Sequence, residues 1–170
     1  MVALMDPTSI LDDVRALLVR DIEGMQREIS MFPNDASVWD TRPGIANPAG
    51  NLALHLAGNI RHFIGFMLGG IPYTRDRESE FTRRGVSRLE LTSELAAALA
   101  VVHDVLPRLT PNQLDAQWPE MPAPVPVTTR RFLLHLCTHA AFHVGQAGYI
   151  RRIVTGDSRS SGAVTSARIA

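Results

Sequence analysis

Apolar residues recur every three or four positions along most of the chain, and no stretch alternates apolar and polar residues over the length of a strand. This spacing is typical of amphipathic helices, because residues three and four apart share one helix face. Glycine and proline divide the chain into four such segments, at about residues 7–31, 48–68, 87–110 and 128–154. The pattern therefore predicts an all-α protein with four long helices.

Helix start and stop signals agree with these boundaries. Pro7 suits the first position of the first helix. Ser87 and Glu90 stand three residues apart at the start of the third helix, which is the spacing of a capping box. Gly156 follows the fourth segment, where glycine commonly ends a helix. Four amphipathic helices of this length predict a four-helix bundle, which we assign to a single domain over residues 1–155.

Three further segments connect or follow these helices. Residues 73–81 are mostly charged or hydroxylated, which predicts an exposed loop. Prolines are frequent between residues 110 and 127, and they predict an extended connection. Residues 156–170 are rich in serine, glycine and alanine, so we predict a disordered tail there.

Charge and cysteine content exclude several classes of function. The 170 residues carry 17 basic and 17 acidic side chains, so no broad basic face for nucleic acid or an anionic membrane is expected. All 17 basic residues are arginine, which excludes a Schiff-base lysine. The only cysteine, Cys137, allows no internal disulfide and no cysteine-rich zinc module.

Targeting signals are also missing from the sequence. No apolar run reaches the roughly 18 residues that a membrane-spanning helix needs. The first six residues show neither the basic region nor the apolar core of a signal peptide. We therefore expect a cytoplasmic protein with no membrane partner.

Histidine is the residue type with the most specific placement. Five of the six histidines fall on the predicted second and fourth helices: His55, His62, His135, His139 and His143. Successive histidines of the fourth helix are four residues apart, so they lie about 6 Å apart along one helix face.

One metal ion would need an adjacent histidine pair from the fourth helix and one histidine from the second. His135 and His143 lie about 12 Å apart along the helix axis, too far to share an ion with bonds of about 2.1 Å. Three neutral nitrogen ligands leave positions open for water or substrate, as in catalytic zinc sites. The spacing does not choose between the pairs His135–His139 and His139–His143. Hydrogen bonding is the alternative way to satisfy such residues.

Two segments carry a resemblance to a known family. Residues 51–59, with the sequence NLALHLAGN, and residues 139–146, with the sequence HAAFHVGQ, resemble the two signatures of the DinB/YfiT-like superfamily. Residues 75–81 resemble a motif of one uncharacterised branch. The resemblance covers about residues 8–154 and implies a four-helix bundle with up-down-down-up connectivity.

The resemblance also implies a divalent metal ion, nickel or zinc in most members. Carried over to this chain, the ligands are His55, His139 and His143. His135 then becomes a residue that flanks the site, and His62 a candidate for the pocket lining. From their positions on the two helices, Asn59 and Gln146 are candidates to orient a ligand histidine; an ordinary helix contact is the alternative.

Some members of this superfamily are thiol-dependent enzymes, which transfer low-molecular-weight thiols or isomerise maleylpyruvate with mycothiol. The resemblance therefore implies a thiol S-transferase acting on a small-molecule substrate, in a homodimer. Cys137 is not the reacting thiol, because it is rotated about 200° from His139 and points away from the ligand face. The alternatives are a non-enzymatic metal-binding stress or interaction bundle and a metal-assisted hydrolase. No catalytic residue is assigned.

Overall fold

The structure is a computed structural model, and it describes residues 7–119 and 126–169. Four long helices dominate it: α1 (Pro7–Ser30), α2 (Ala49–Ile60, continued by the π-helical segment Arg61–Leu68), α4 (Arg88–Val105) and α6 (Thr129–Thr155). Two short helices lie between them, α3 (Arg77–Thr82) and α5 (Pro111–Asp115). Single 3-10 turns occur at Ser37–Trp39, Leu106–Arg108 and Ser166–Arg168. The all-α prediction is confirmed.

Contacts between pairs of residues give the directions of the four long helices. Cys137 of α6 lies beside Val14 of α1, and Arg151 beside Glu28, so α1 and α6 run parallel. Arg61 pairs with Glu94 near the middle of α2 and α4, and Gly69 lies against Val105 at their ends, so these two helices also run parallel.

Contacts between α2 and α6 give the relative direction of these two helices. His55 meets His139, whereas Phe63, further along α2, meets Phe132, which comes earlier in α6. These two helices are therefore antiparallel. The four long helices run up, down, down and up in chain order, as the family resemblance implied.

The core lies along the shared axis of the four long helices. Its fully buried side chains come from all four of them, and they include Leu18, Ile22, Met25, Leu56, Ile60, Leu91, Leu95 and Leu136. Burial of such side chains contributes about 1.5–3 kcal/mol each, which makes this core the main source of stability. Among the described residues, no helix is both long and apolar enough to cross a bilayer.

The end of the second helix differs from a regular α-helix. Residues 61–68 form π-helical turns, in which, for example, the N–H of Gly69 donates to the carbonyl of Ile64, five residues earlier. Sequence periodicity did not predict these wider turns. Such turns are rare and are frequently found near functional sites.

The prediction of an exposed loop at residues 73–81 is wrong in its second half. Residues 77–82 form α3, which packs against α2. Asp76 caps this helix by accepting a hydrogen bond of 2.9 Å from the N–H of Ser79. Glu80 of α3 is only 6% exposed, because it turns inward toward α2.

The proline-rich connection contains more structure than its composition predicted. Thr110 and Gln113 form a capping box that opens α5. Gln117 and Thr128 then form an isolated antiparallel bridge just before α6. Residues 120–125 of the predicted extended connection lie outside the described residues.

Residues 157–163 contact the bundle, although their composition predicted disorder. Arg151 of α6 is fully buried, and its guanidinium donates to the carbonyl oxygens of Asp157 and Arg159 and to the carboxylate of Glu28. Ala163 is buried against Gly24 of α1. A buried cation that needs acceptors thus orders this part of the chain, and composition alone does not reveal such a partner. The single-domain assignment over residues 1–155 stays a prediction.

Candidate metal centre

Three imidazole rings from two helices meet at one point beside the core. Nε2 of His139 lies 3.2 Å from Nε2 of His55 and 3.0 Å from Nε2 of His143. One ring nitrogen from each of the three histidines lies within 4.8 Å of the others. The structure therefore brings together the three residues that the sequence analysis named as metal ligands. His55 comes from the buried α2 and the other two from successive turns of α6.

His55 is held by an ionised carboxylate on its far side. Its Nδ1 lies 2.8 Å from Oε2 of Glu80. A carboxylate accepts hydrogen bonds and does not donate them, so the proton of the neutral ring sits on Nδ1 and the lone pair on Nε2. That lone pair points toward the other two histidines.

His143 is held in the same way by an amide. Its Nδ1 lies 2.8 Å from Oε1 of Gln146, three residues later on α6. The amide oxygen is an acceptor, so Nδ1 again carries the proton and Nε2 the lone pair. Gln146 thus contacts one of the three clustered histidines from the same helix, three residues away.

His139 lies between these two rings and has no comparable partner. Its Nδ1 is buried and makes no hydrogen bond among the described residues. Burial and the neighbouring histidines lower the pKa of His139 to about 3. Burial also lowers the pKa of His143, against the opposing effect of its bond to Gln146. The lowered pKa values favour the neutral forms of His139 and His143 at physiological pH, and a metal ligand must be neutral.

The arrangement fits a divalent cation better than it fits hydrogen bonding alone. A neutral His139 has one N–H, so it cannot satisfy the Nε2 lone pairs of both His55 and His143. Nitrogen ligands bound tetrahedrally at about 2.1 Å lie roughly 3.4 Å apart, close to the separations from His139 given above. A cation placed among the three nitrogens would satisfy all three lone pairs together.

Arg75 completes the support behind His55. Its guanidinium donates to both oxygens of Glu80, at 2.7 and 2.9 Å. Burial alone would raise the pKa of the Glu80 carboxyl, but the bonds from His55 and Arg75 outweigh it and hold that pKa below its usual value. Glu80 therefore stays ionised. Hydrogen bonds of this kind fix the orientation of a ligand histidine and raise its basicity.

Gly58 makes room for this carboxylate. A Cβ atom at position 58 would overlap Oε1 of Glu80, and glycine is the only residue type without a Cβ atom. Because α3 can approach α2 closely at Gly58, Glu80 lies directly behind His55, which is one helical turn before Gly58 on α2. Glycine at this position is therefore part of the site's construction.

A cleft opens beside the three histidines, on the side of His143. Its volume is about 410 Å³, within the range typical of small-molecule sites. Its lining includes Ile45 of the segment before α2, Phe81 of α3, and His143, Gln146 and Tyr149 of α6. The ring of Phe81 also packs on His55, with 4.8 Å between ring centroids. A molecule in the cleft would thus reach the histidine cluster.

Three residues named from the sequence as flanking or pocket residues lie outside the cluster. The His135 ring is exposed, and its centroid is 5.9 Å from that of His139. His62 stacks on Phe66 and contacts Phe63. Asn59 is buried, but the structure gives it no hydrogen bond to any of the three clustered histidines.

Sequence reasoning missed Arg75 and Glu80 as supporting residues. The composition of residues 73–81 predicts an exposed loop for both of them. The usable signal was local, since Asp76 and Ser79 have the spacing of a helix cap and its third residue. A short helix at this point turns Glu80 and Phe81 out of the loop and toward α2.

Cys137 is confirmed as a buried residue that faces away from the histidines. Its Sγ lies 3.9 Å from the carbonyl oxygen of Val14 in α1. Burial, together with the carboxylate of Asp21, raises the pKa of this thiol to about 12. The thiol therefore stays protonated and is not a nucleophile at neutral pH.

Fold and site together define the class: an up-down-down-up helical bundle with a cluster of three histidines, a candidate metal centre, between its second and last long helices. The chain belongs to the DinB superfamily, whose family model matches residues 11–147. This superfamily is generally metal-binding. The family resemblance seen in the sequence is thereby confirmed.

Comparison with solved structures supports the fold alone. The crystal structure of a conserved protein from Enterococcus faecalis superposes with a TM-score of 0.70, over 91% of this chain and 100% of that chain. Its sequence identity to this chain is 20%. A search of curated proteins found no match.

Proposed function

We propose that this protein uses a divalent ion, held by His55, His139 and His143, to transfer a low-molecular-weight thiol to a small electrophile. The observation that carries the proposal is the pairing of three converging Nε2 lone pairs with an adjoining cleft. Three protein ligands would leave coordination positions open on a divalent ion, and the cleft of about 410 Å³ lies beside one of them, His143. Zinc and nickel both accept imidazole ligands, so either would suit the site.

The reaction forms one bond at carbon, breaks one bond at carbon and releases the thiol proton. The thiol sulfur bonds to the electrophilic carbon, the leaving group departs with its bonding electron pair, and the thiol proton passes to solvent. When bound, a divalent ion supplies a Lewis acid that favours the deprotonated, nucleophilic form of a thiol. Low-molecular-weight thiols are kept reduced in the cytoplasm, and we therefore propose that compartment.

The chain's own residues contribute orientation and shelter. Glu80 and Gln146 hold the protons of His55 and His143 on Nδ1, which leaves each Nε2 free to bind. Phe81 shields the His55 ring from water on the cleft side. These contacts preorganise the ligand set before any substrate arrives.

A non-enzymatic interaction bundle is the second candidate function. It is favoured by three exposed apolar residues of α6, Phe142, Tyr149 and Ile153, of which the last two also line the mouth of the cleft. Contiguous exposed apolar surface often marks a protein partner, and a second copy of this chain is the partner we propose. A metal-assisted hydrolase is less well supported, since the described residues that line the cleft include no carboxylate to act as a general base.

Metal analysis and a thiol panel test the proposal. Protein purified without a tag should contain close to one zinc or nickel ion per chain. It should accelerate addition of thiols such as cysteine, bacillithiol or mycothiol to 1-chloro-2,4-dinitrobenzene, with release of chloride. His139→Ala should lose both metal and activity, whereas His103→Ala, an exposed histidine on α4, should keep both.

Two results would separate the candidates. Stoichiometric metal without thiol transfer by any member of the panel would favour the interaction bundle. A concentration-dependent dimer that weakens in Tyr149→Asp would support that second candidate further. Absence of metal from the purified protein, together with no zinc or nickel binding on titration, would overturn both.

A further inference from the structure

We infer that Asn59 is the positioning residue for His139, and that its amide oxygen accepts the Nδ1 proton of His139 through one bridging water molecule. This inference rests on the proposed function, because it concerns how the same site holds its ion. Two buried polar atoms and the register of α2 against α6 support it.

The three ligand histidines differ in what holds their second ring nitrogen. Nδ1 of His55 lies 2.8 Å from Oε2 of Glu80, and Nδ1 of His143 lies 2.8 Å from Oε1 of Gln146. Nδ1 of His139 is buried and makes no hydrogen bond among the described residues. A histidine that binds an ion through Nε2 carries its proton on Nδ1 and almost always donates it to an acceptor. The third ligand therefore needs an acceptor as well.

Asn59 carries a buried acceptor of the kind that His139 needs. Its side chain is 6% exposed, and its Oδ1 is buried without a hydrogen bond in the described part of the chain. Buried donors and acceptors are nearly always paired, either within the protein or through ordered water, because an unpaired one is costly. The donor on His139 and the acceptor on Asn59 thus match each other in chemistry.

The register of the two antiparallel helices places Asn59 close to His139. His55 meets both ligand histidines of α6, whereas Phe63, two turns later on α2, meets Phe132. Position 59 is midway between positions 55 and 63, so it lies level with about residues 136–137 of α6. His139 is roughly two or three residues from that level, which is less than one helical turn. The four-residue spacing also puts Asn59 on the face of α2 that packs against α6.

A second buried asparagine of α2 does not compete for this role. Oδ1 of Asn51 also makes no hydrogen bond among the residues that the structure describes. Asn51 lies one turn before His55, however, and its Nδ2 donates to the carbonyl oxygens of Glu80 and Arg83. Its amide is therefore turned toward α3, and the oxygen of Asn59 is the acceptor that remains for the third ligand.

One water molecule between the two side chains satisfies both of them. Oδ1 of Asn59 and Nδ1 of His139 make no direct hydrogen bond, so a link between them needs an intermediate group. Water accepts from the ring N–H and donates to the amide oxygen, and buried waters commonly bridge polar groups in this way. Glu80, Gln146 and Asn59 then each hold one ligand histidine in the tautomer that leaves Nε2 free.

Replacement of Asn59 by leucine, which has a similar size and no acceptor, tests the inference on the full-length protein. Isothermal titration calorimetry of the metal-free wild type and Asn59→Leu with zinc measures affinity, and urea denaturation measures stability without metal. We expect the dissociation constant for zinc to rise about tenfold or more, as for other groups that hold a ligand histidine. The metal-free variant should be at least as stable as the wild type, because it no longer buries an unpaired amide oxygen.

Two further variants separate positioning from packing. Asn59→Asp keeps an oxygen acceptor, so it should bind zinc more tightly than Asn59→Leu does. Asn112→Leu makes the leucine change at an exposed position of α5 and should leave the zinc affinity unchanged.

The proton on His139 provides a spectroscopic readout. In zinc-loaded protein with ¹⁵N-labelled histidine, NMR should show a proton on Nδ1 of all three ligand histidines. The Nδ1 proton of His139 should exchange with solvent faster in Asn59→Leu than in the wild type, because the variant offers it no acceptor.

Equal zinc affinity in Asn59→Leu and the wild type would overturn the inference and leave the proposed function intact. A parallel loss of zinc affinity and metal-free stability would also overturn it, because that result indicates a packing role. Asn59→Asp that binds zinc no better than Asn59→Leu, or unchanged exchange of the His139 proton, would have the same consequence. Wild-type protein that binds neither zinc nor nickel would instead overturn the proposed function together with this inference.

Discussion

Oε2 of Glu80 lies 2.8 Å from Nδ1 of His55, on the side of the ring opposite to the other two histidines. One short helix thus sets the protonation pattern of a residue on a long one. Because Arg75 holds the same carboxylate by two bonds, Glu80 has little freedom to rotate away. The support behind His55 is therefore as specific as the ligand set itself.

Removing this support should weaken metal binding without removing a ligand. Glu80→Ala should raise the dissociation constant for zinc about 10–100-fold, because His55 loses the partner that orients it. The zinc dissociation constant of Glu80→Gln should fall between those of Glu80→Ala and the wild type. The amide oxygen of the new side chain can still accept a hydrogen bond from Nδ1 of His55. Isothermal titration calorimetry of the metal-free protein with zinc would measure both.

Glu78→Gln serves as the control for these variants. Glu78 lies on the same short helix but is exposed. The zinc affinity of the Glu78→Gln protein should therefore match that of the wild type. Unchanged affinity in Glu80→Ala would show that the carboxylate does not support the ligand.

Gly58 should not tolerate even the smallest side chain. A methyl group there would push the Glu80 carboxylate away from α2, so Gly58→Ala should cost roughly 1–3 kcal/mol of unfolding free energy and also lower zinc affinity. Urea denaturation and calorimetry would show the two effects together.

Gly145→Ala, at another helical glycine, should raise the free energy of unfolding, whereas Gly58→Ala should lower it. Position 145 of α6 has open space around it, so the added methyl should stabilise the protein by up to about 1 kcal/mol through helix propensity alone. Equal effects at positions 58 and 145 would contradict the crowding that we assign to Gly58.

Cys137 should make stability fall at alkaline pH. The pKa of this thiol is raised to about 12 in the folded state from a reference value of 9.0, so the folded protein keeps a proton that the unfolded chain loses. The free energy of unfolding should therefore decrease as the pH rises above 9, by at most about 1.4 kcal/mol per pH unit from this group. The full contribution is present below pH 9.

Comparison with Cys137→Ala isolates this effect. The difference in unfolding free energy between the wild type and the variant should shrink as the pH rises from 8 to 10, as measured by urea denaturation. A difference that stays constant would mean that the native thiol ionises as readily as the unfolded one.

The buried pair of Glu28 and Arg151 should be a major determinant of stability. Glu28→Ala removes the closer counter-charge of a fully buried guanidinium and leaves only the Asp157 carboxylate, 3.6 Å away, at a cost of about 3–5 kcal/mol. The same change removes the acceptor of Ser161, so residues 157–163 should become accessible to limited proteolysis. Asp104→Ala, which removes an exposed partner of Arg108, should change stability by less than about 1 kcal/mol.

Much of the architecture could be predicted from helical periodicity, because four long amphipathic stripes have few ways to bury their apolar faces. The histidine spacing also restricted the metal site, although the choice of His143 over His135 came from the family resemblance. The structure explains that choice, since His135 is exposed whereas His143 turns toward His55.

The parts that could not be predicted depend on tertiary partners. The sequence predicts that Glu80 is exposed, whereas in the structure it is buried among His55, Arg75 and Gly58. Arg151 likewise looks like a favourable charge at a helix end, yet it is fully buried by contacts with Glu28 and with carbonyl groups that follow α6. A charged side chain gives no periodic signal of such burial, because the compensating groups lie far away in the sequence or in irregular segments.

His55 and His139 are separated by 84 residues. During translation, a nascent chain that has exposed only α1 and α2 outside the ribosome therefore presents a lone histidine with no competent ion site. All three rings become available only when α6 has left the exit tunnel and docked against α2. An ion that requires all three rings would consequently be bound late in biogenesis, after synthesis through residue 143 and assembly of the bundle.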